Sequence, residues 1–95
     1  MTALDIRGPI RAGVARETMA RVTHGVACSY GITADDLRGR SRVQPIARAR
    51  QEAYFLCREQ GYTMTQIGGY FHRDHSTVSY GISQEKQRRE AENAA

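Results

Sequence analysis

The sequence has no apolar run long enough to cross a bilayer or to form the core of a signal peptide. A soluble protein working in the cytoplasm, with no membrane partner, is therefore expected. Cysteine is scarce: Cys28 and Cys57 are the only two, and no C-x-x-C pair occurs. With no secretory signal they are expected as reduced thiols at partly buried helix positions. Joined with His72 and His75 they still lack the paired spacing that specifies zinc, so neither a metal nor another cofactor is expected. Lysine is nearly absent, Lys86 being the only one, and no G-x-x-x-x-G-K-[ST] segment exists. ATP hydrolysis through such a phosphate loop is thereby excluded. Alternating strand patterns longer than a few residues, internal repeats and linker-like stretches are missing too. What remains for 95 residues is a single helical domain with a modest core.

Arginine is what the sequence has instead. Lys+Arg number 14 against 10 Asp+Glu, a formal charge of +4. Arginine's planar fork suits phosphate and guanine better than a lysine point charge does. A coding preference for arginine over lysine would give the same composition, so placement says more. Arg38, Arg40, Arg42, Arg48 and Arg50 fall close together, bordered by Asp36 and Glu52. Such a run is an ordinary solvated face or the electrostatic footprint of a polyanion binder.

The helices follow from periodicity and punctuation. Residues 1–13, with two glycines and a proline, read as a loose arm. Ala15, Met19, Val22, Val26 and Tyr30 recur at helical spacing and predict a helix from about Val14 to Tyr30, stopped by Gly31. Thr33 caps a short helix whose first turn carries Asp35 and Asp36. Pro45 opens a longer helix reaching about Gln60, with Ile46, Ala49, Ala53 and Leu56 as its stripe and Tyr54, Phe55 and Cys57 widening it. Gly61 ends it. Thr63 and Gln66 form a capping box for a helix that ends near Tyr70 or Phe71. After a break at His72 and Arg73, a last helix runs from about Asp74 to Glu90, with Val78 and Ile82 as core contacts and Gly81 between them permitting close packing. The polar end beyond Glu85 is expected to lie on solvent, with residues 91–95 as a frayed tail. The domain proper is expected over residues 14–90. The class is all-α, a compact helical bundle.

Two helices joined by so short a turn form the helix-turn-helix pattern, in which the second helix enters the DNA major groove. Its N-terminal turn here is rich in hydrogen-bonding groups. Arg73 suits phosphate or guanine, Asp74 can accept from cytosine, His75 can donate or accept, and Ser76 and Thr77 bring hydroxyls, Thr77 with a methyl for thymine. Taken singly, Asp74 or Ser76 is a helix cap and His75 a surface histidine. Taken together they read as a base-reading helix. Catalysis by the Asp74, His75 and Ser76 side chains is excluded, because neighbours on a helix point about 100° apart and cannot relay a proton.

The run Arg73-Asp74-His75-Ser76-Thr77-Val78 resembles the signature of the C-terminal DNA-binding domain of the bacterial replication initiator DnaA, a helix-turn-helix bundle of the Trp-repressor-like kind. Asp36-Leu37, Ser41-Arg42, Ala47-Arg48-Ala49-Arg50-Gln51, the helix end from Leu56 to Glu59, and Ile67-Gly68 fall in the family's order, over about Val14 to Gln87. The resemblance implies a domain that binds double-stranded DNA at a short asymmetric site, the DnaA box. By position, Asp74, His75 and Ser76 would contact bases, with Thr77 at bases or phosphate. Arg42 would enter the minor groove. Arg40, Arg58, Thr65, Gln66 and Arg73 would lie at the DNA backbone.

Two departures bear on the target sequence. The family has two glycines between the aromatic that closes the first motif helix and the signature arginine, where this chain has His72 alone. The turn before Thr63 is also one residue shorter. Full initiators carry an ATPase domain ahead of this module, so the chain is either an excised domain or a free-standing relative. Met1 and the unfamiliar arm point to the second. A nucleoid-associated regulator of replication or transcription, with a replication or regulatory protein as partner, is the expected role. An interaction module that keeps the fold but binds protein is the alternative.

Overall fold

The computed structural model describes residues 12–41 and 43–94, with side chains from residue 17 onward. The arm expected over residues 1–13 lies outside the described residues except for its last two, and Arg42 lies outside them altogether. Five helices make up the fold: α1 (Ala12–Tyr30), α2 (Ala34–Arg38), α3 (Gln44–Glu59), α4 (Met64–Phe71) and α5 (His75–Ala94). The all-α expectation holds, and each helix lies where periodicity places it. No helix among the described residues is long and apolar enough to cross a membrane.

The ends of the helices follow local chemistry. Gly31 sits at φ +70. Its N–H bonds to Cys28 O and that of Ile32 to Ala27 O, the paired bonds of a Schellman cap. Thr33 and Thr63 each accept from the backbone three residues on, while Asp36 and Gln66 reach back to the capping residue's N–H. Pro45 stands in the first turn of α3, where its missing N–H costs no helical bond. Residues 91–94, expected to fray, continue α5 as exposed helix.

α3 is the central element, packing chiefly on α5 and α1. Leu37, Ala49, Ala53, Cys57, Ile67, Phe71 and Val78 are all fully buried there, and the Tyr54 and Tyr70 rings each meet Phe71 edge-on. The buried face of α3 is rotated from the expected stripe. Tyr54 and Cys57 are inside, whereas Ile46 and Leu56 are only half-buried. Burial pushes the Cys57 thiol up to about 12, which keeps it protonated and unreactive. Cys28, expected to be partly buried, is exposed, with Sγ 3.5 Å from His24 Nε2.

The core takes in three polar side chains that hydrophobic periodicity passes over. Thr23 is fully buried because its hydroxyl donates back to Met19 O at 2.7 Å. Glu85 is buried and held by Arg88 at 2.8 Å and Arg89 at 2.7 Å. Arg88 also donates to Gln51 Oε1 at 2.8 Å, which fastens α5 to α3. The third, Arg50, shapes the functional face.

Candidate nucleic-acid interface

The turn between α4 and α5 is built by close approach. His72 caps α4 in the left-handed region (φ 59, ψ 43), and its N–H bonds to Gly68 O, as does that of Arg73 at 2.9 Å. Gly68 can only be glycine, because a Cβ there would collide with the Arg73 carbonyl. A non-glycine residue in this conformation costs about 1 kcal/mol. His72 offsets part of that through Nε2, 3.1 Å from Arg38 Nη2. His72 thus closes the turn between Phe71 and Arg73 without a glycine.

Asp74 precedes the first turn of α5 and caps it, accepting from the Thr77 N–H at 2.9 Å. The Thr77 N–H and hydroxyl, the His75 charge and the Ser76 N–H hold its carboxyl below the usual range. Capping therefore occupies Oδ1, while Asp74 as a whole stays exposed. His75, Ser76 and Thr77 are exposed as well. The residues opposite them on the helix, Val78, Gly81 and Glu85, face the core.

The arginines divide into two groups. Arg50 is 7% exposed, and its guanidinium donates to four carbonyls: Leu37 at 2.7 Å, Ser41 at 3.0 Å, and Asp36 and Gly39 at 3.2 Å. It caps the C-terminus of α2 and fixes the start of the basic loop that follows, residues 39–41. Burial and the neighbouring Arg73 charge both lower its pKa. Arg38 donates to Tyr70 O at 2.9 Å and stacks on the Tyr70 ring, 4.4 Å from its centroid. Arg38 and Arg50 thus hold the protein together, their donors being taken by the protein's own carbonyls. Arg40 and Arg48 are exposed.

Arg73 bridges the two parts of the interface. It donates to Phe71 O at 2.8 Å within the turn and to Gly39 O in the basic loop. The loop and the N-terminus of α5 are therefore held in fixed relation. Between them opens a cleft of about 440 Å³, lined by Arg40, Arg50, Tyr54, Arg73, Thr77 and Tyr80 among others. The structure thus brings together Arg40, Arg73 and Thr77. Arg58 is not among them: it donates to Tyr62 O at 2.9 Å and lines a separate groove with Met64 and Lys86. Thr65 and Gln66 are exposed on the first turn of α4, the Gln66 Oε1 being taken by the Thr63 N–H at 2.9 Å. Among the described residues no group of three His, Cys, Asp or Glu could hold a metal. Tyr80, which the motif reading leaves out, is exposed at the mouth of the cleft. Its position four residues after Ser76 was the available signal.

Comparison with known proteins agrees with this geometry. Residues 19–84 match the family described as the bacterial dnaA protein helix-turn-helix. Over 70 residues, 73% of the chain, it is 40% identical to the chromosomal replication initiator protein DnaA of Deinococcus radiodurans. It is 44% identical over 61 residues, 62% of the chain, to that of Clavibacter sepedonicus. With the Tropheryma whipplei (strain Twist) protein it shares 48% identity over 52 residues, 54% of the chain. The matched segments span 15%, 13% and 11% of those three proteins. No solved structure matches. The chain belongs to the family of bacterial DnaA helix-turn-helix domains.

Proposed function

We propose that this chain binds double-stranded DNA in a sequence-specific manner, placing the first turn of α5 in the major groove at DnaA-box-like sites. The observation that carries this is the Arg73 bridge: one guanidinium joins the motif turn to the basic loop, so that Asp74–Thr77 and Arg40 form one rigid surface. Asp74, His75, Ser76 and Thr77 are the base-reading residues and Arg42 is the minor-groove arginine. Arg40, Arg58, Thr65, Gln66 and Arg73 are assigned to the DNA backbone. Asp74 can cap with Oδ1 and still offer Oδ2 to cytosine, so the two roles are compatible.

The matched relatives are named as chromosomal replication initiators. By that likeness the chain acts at initiator sites, as a regulator of replication or transcription associated with the nucleoid. It works by binding and without nucleotide hydrolysis, since it holds no phosphate loop. The test is a titration of labelled duplexes carrying a DnaA box against scrambled duplexes of equal length. Specific proteins of this class prefer their site by roughly a thousandfold or more at moderate salt. Equal affinity for both duplexes would reject sequence-specific recognition, and no binding to either at low salt would reject DNA binding altogether.

A further inference from the structure

We infer that Tyr80 is a further DNA-contacting residue, its phenol hydroxyl donating to a backbone phosphate seated in the cleft between the basic loop and α5. The inference rests on the DNA-binding reading above and adds a residue and a mode of contact to it.

Four observations support an anionic occupant. Arg40, Arg50 and Arg73 all line the cleft, and none of its lining residues is Asp or Glu. The Arg50 and Arg73 guanidiniums are held by neutral carbonyls, so their charge is not cancelled. The first ten residues of α5 also carry no carboxylate, and the first one, Glu85, is turned inward and paired with Arg88 and Arg89. The Tyr54 hydroxyl, buried without a hydrogen-bond partner, belongs to the same cleft.

Tyr80 is where such an anion would be met. It is 63% exposed, the most exposed of the large apolar side chains among the described residues. Standing four residues after Ser76 and three after Thr77, it shares their face of α5, about one turn, or about 5.4 Å, further along the axis. When the N-terminal turn of a helix points at base edges, the next turn passes the groove wall, which is sugar and phosphate. A tyrosine there offers a donor at the end of a stiff side chain with few rotamers, so little conformational freedom is lost on contact.

Tyr80→Phe and Tyr80→Ala, at a position this exposed, test the assignment in the full chain. Affinities for a DnaA-box duplex and a scrambled duplex are measured across a salt series. A hydroxyl-to-phosphate bond predicts that both variants bind each duplex about tenfold more weakly, with the specificity ratio unchanged. The phenol is neutral, so the salt slope should stay as in the parent protein, whereas Arg40→Ala should lower it by about one. Parent-level affinity in Tyr80→Phe overturns the phosphate bond. A loss confined to the DnaA-box duplex overturns it as well, by making the ring a base contact. If the unsubstituted chain binds no duplex, the DNA-binding reading has failed, an outcome distinct from a failure at Tyr80 alone.

Discussion

The Tyr54 ring occupies the space that a side chain at position 81 would need: a Cβ on Gly81 would stand 2.7 Å from Tyr54 Cδ2 and 3.0 Å from Cε2. This contact joins α3 to α5 one turn beyond Asp74–Thr77. It sets how deeply α5 sits on α3, and with it the height of His75 and Ser76 above the body of the protein.

Gly81→Ala should accordingly destabilise by about 1–3 kcal/mol, the usual cost of overpacking a core with one methyl group. Combining it with Tyr54→Leu should recover part of the loss, because the two residues share one space. Tyr54→Phe has the opposite expectation. The hydroxyl it removes is buried and unpartnered, so the variant should be as stable as the parent or more so. Denaturant melts of the parent, the Gly81→Ala, Tyr54→Leu and Tyr54→Phe single variants and the double variant decide this. Additive losses in the double variant would show that the ring and the glycine do not share that space.

A second expectation concerns Arg50. Its four carbonyl acceptors lie between Asp36 and Ser41, so truncation should release the α2 end and the basic loop together. Arg50→Ala should cost about 2–4 kcal/mol, because one buried and three part-buried carbonyls lose their donor at once. Arg50→Lys should rescue little of this, since a single ammonium cannot span a fork of acceptors. Arg40→Ala, removing an exposed guanidinium, should leave the melt within about 0.5 kcal/mol of the parent. Equal melts for the Arg50 and Arg40 variants would reject the division between the two groups of arginines.

Asp74 gives the fold a pH dependence of known sign. Its carboxyl lies below the ordinary range in the folded state, chiefly through the Thr77 N–H and hydroxyl. A depressed folded value means that the stabilisation is present above the unfolded pKa, about 3.9, and is lost as the pH falls through the folded value. The stability difference between the parent and Asp74→Asn should therefore be constant from about pH 5 upward and shrink below about pH 4. A difference that persists undiminished into strong acid would show that the carboxylate charge plays no part in the cap.

What could be read from the chain divides along contact distance in sequence. The stops and starts at Gly31, Thr33, Gly61, Thr63 and Gln66 rest on bonds spanning three to five residues, and each was visible as a local pattern. The role of Arg50 was not, because its acceptors lie nine to fourteen residues away and a run of arginines looks alike whether it binds phosphate or carbonyl. Thr23 escaped because a hydroxyl that bonds to its own helix behaves as an apolar residue. Glu85 escaped because its burial depends on Arg88 and Arg89 closing over it. The signature residues were legible as a set, since a short polar run opening a helix is a pattern in sequence. How they are aimed was not legible, because that follows from Gly68, His72 and the Tyr54–Gly81 contact acting together.

His75 separates recognition from folding most cleanly. It is exposed in the first turn of α5, while its neighbour Asp74 does the capping. His75→Ala should therefore melt within about 0.5 kcal/mol of the parent. If the imidazole meets a base edge, binding to a DnaA-box duplex should weaken by about 1–3 kcal/mol, while affinity for a scrambled duplex, carried by phosphate contacts, should hardly change. The salt slope should also persist, because a contact with a base edge neutralises no phosphate and releases no counterions. Asp74→Ala makes the comparison informative, since it should lower both stability and specific binding, capping and reading being joined in one carboxylate. A specificity ratio unchanged in both variants, measured by competition against scrambled duplexes, would mean that this turn caps the helix and reads nothing.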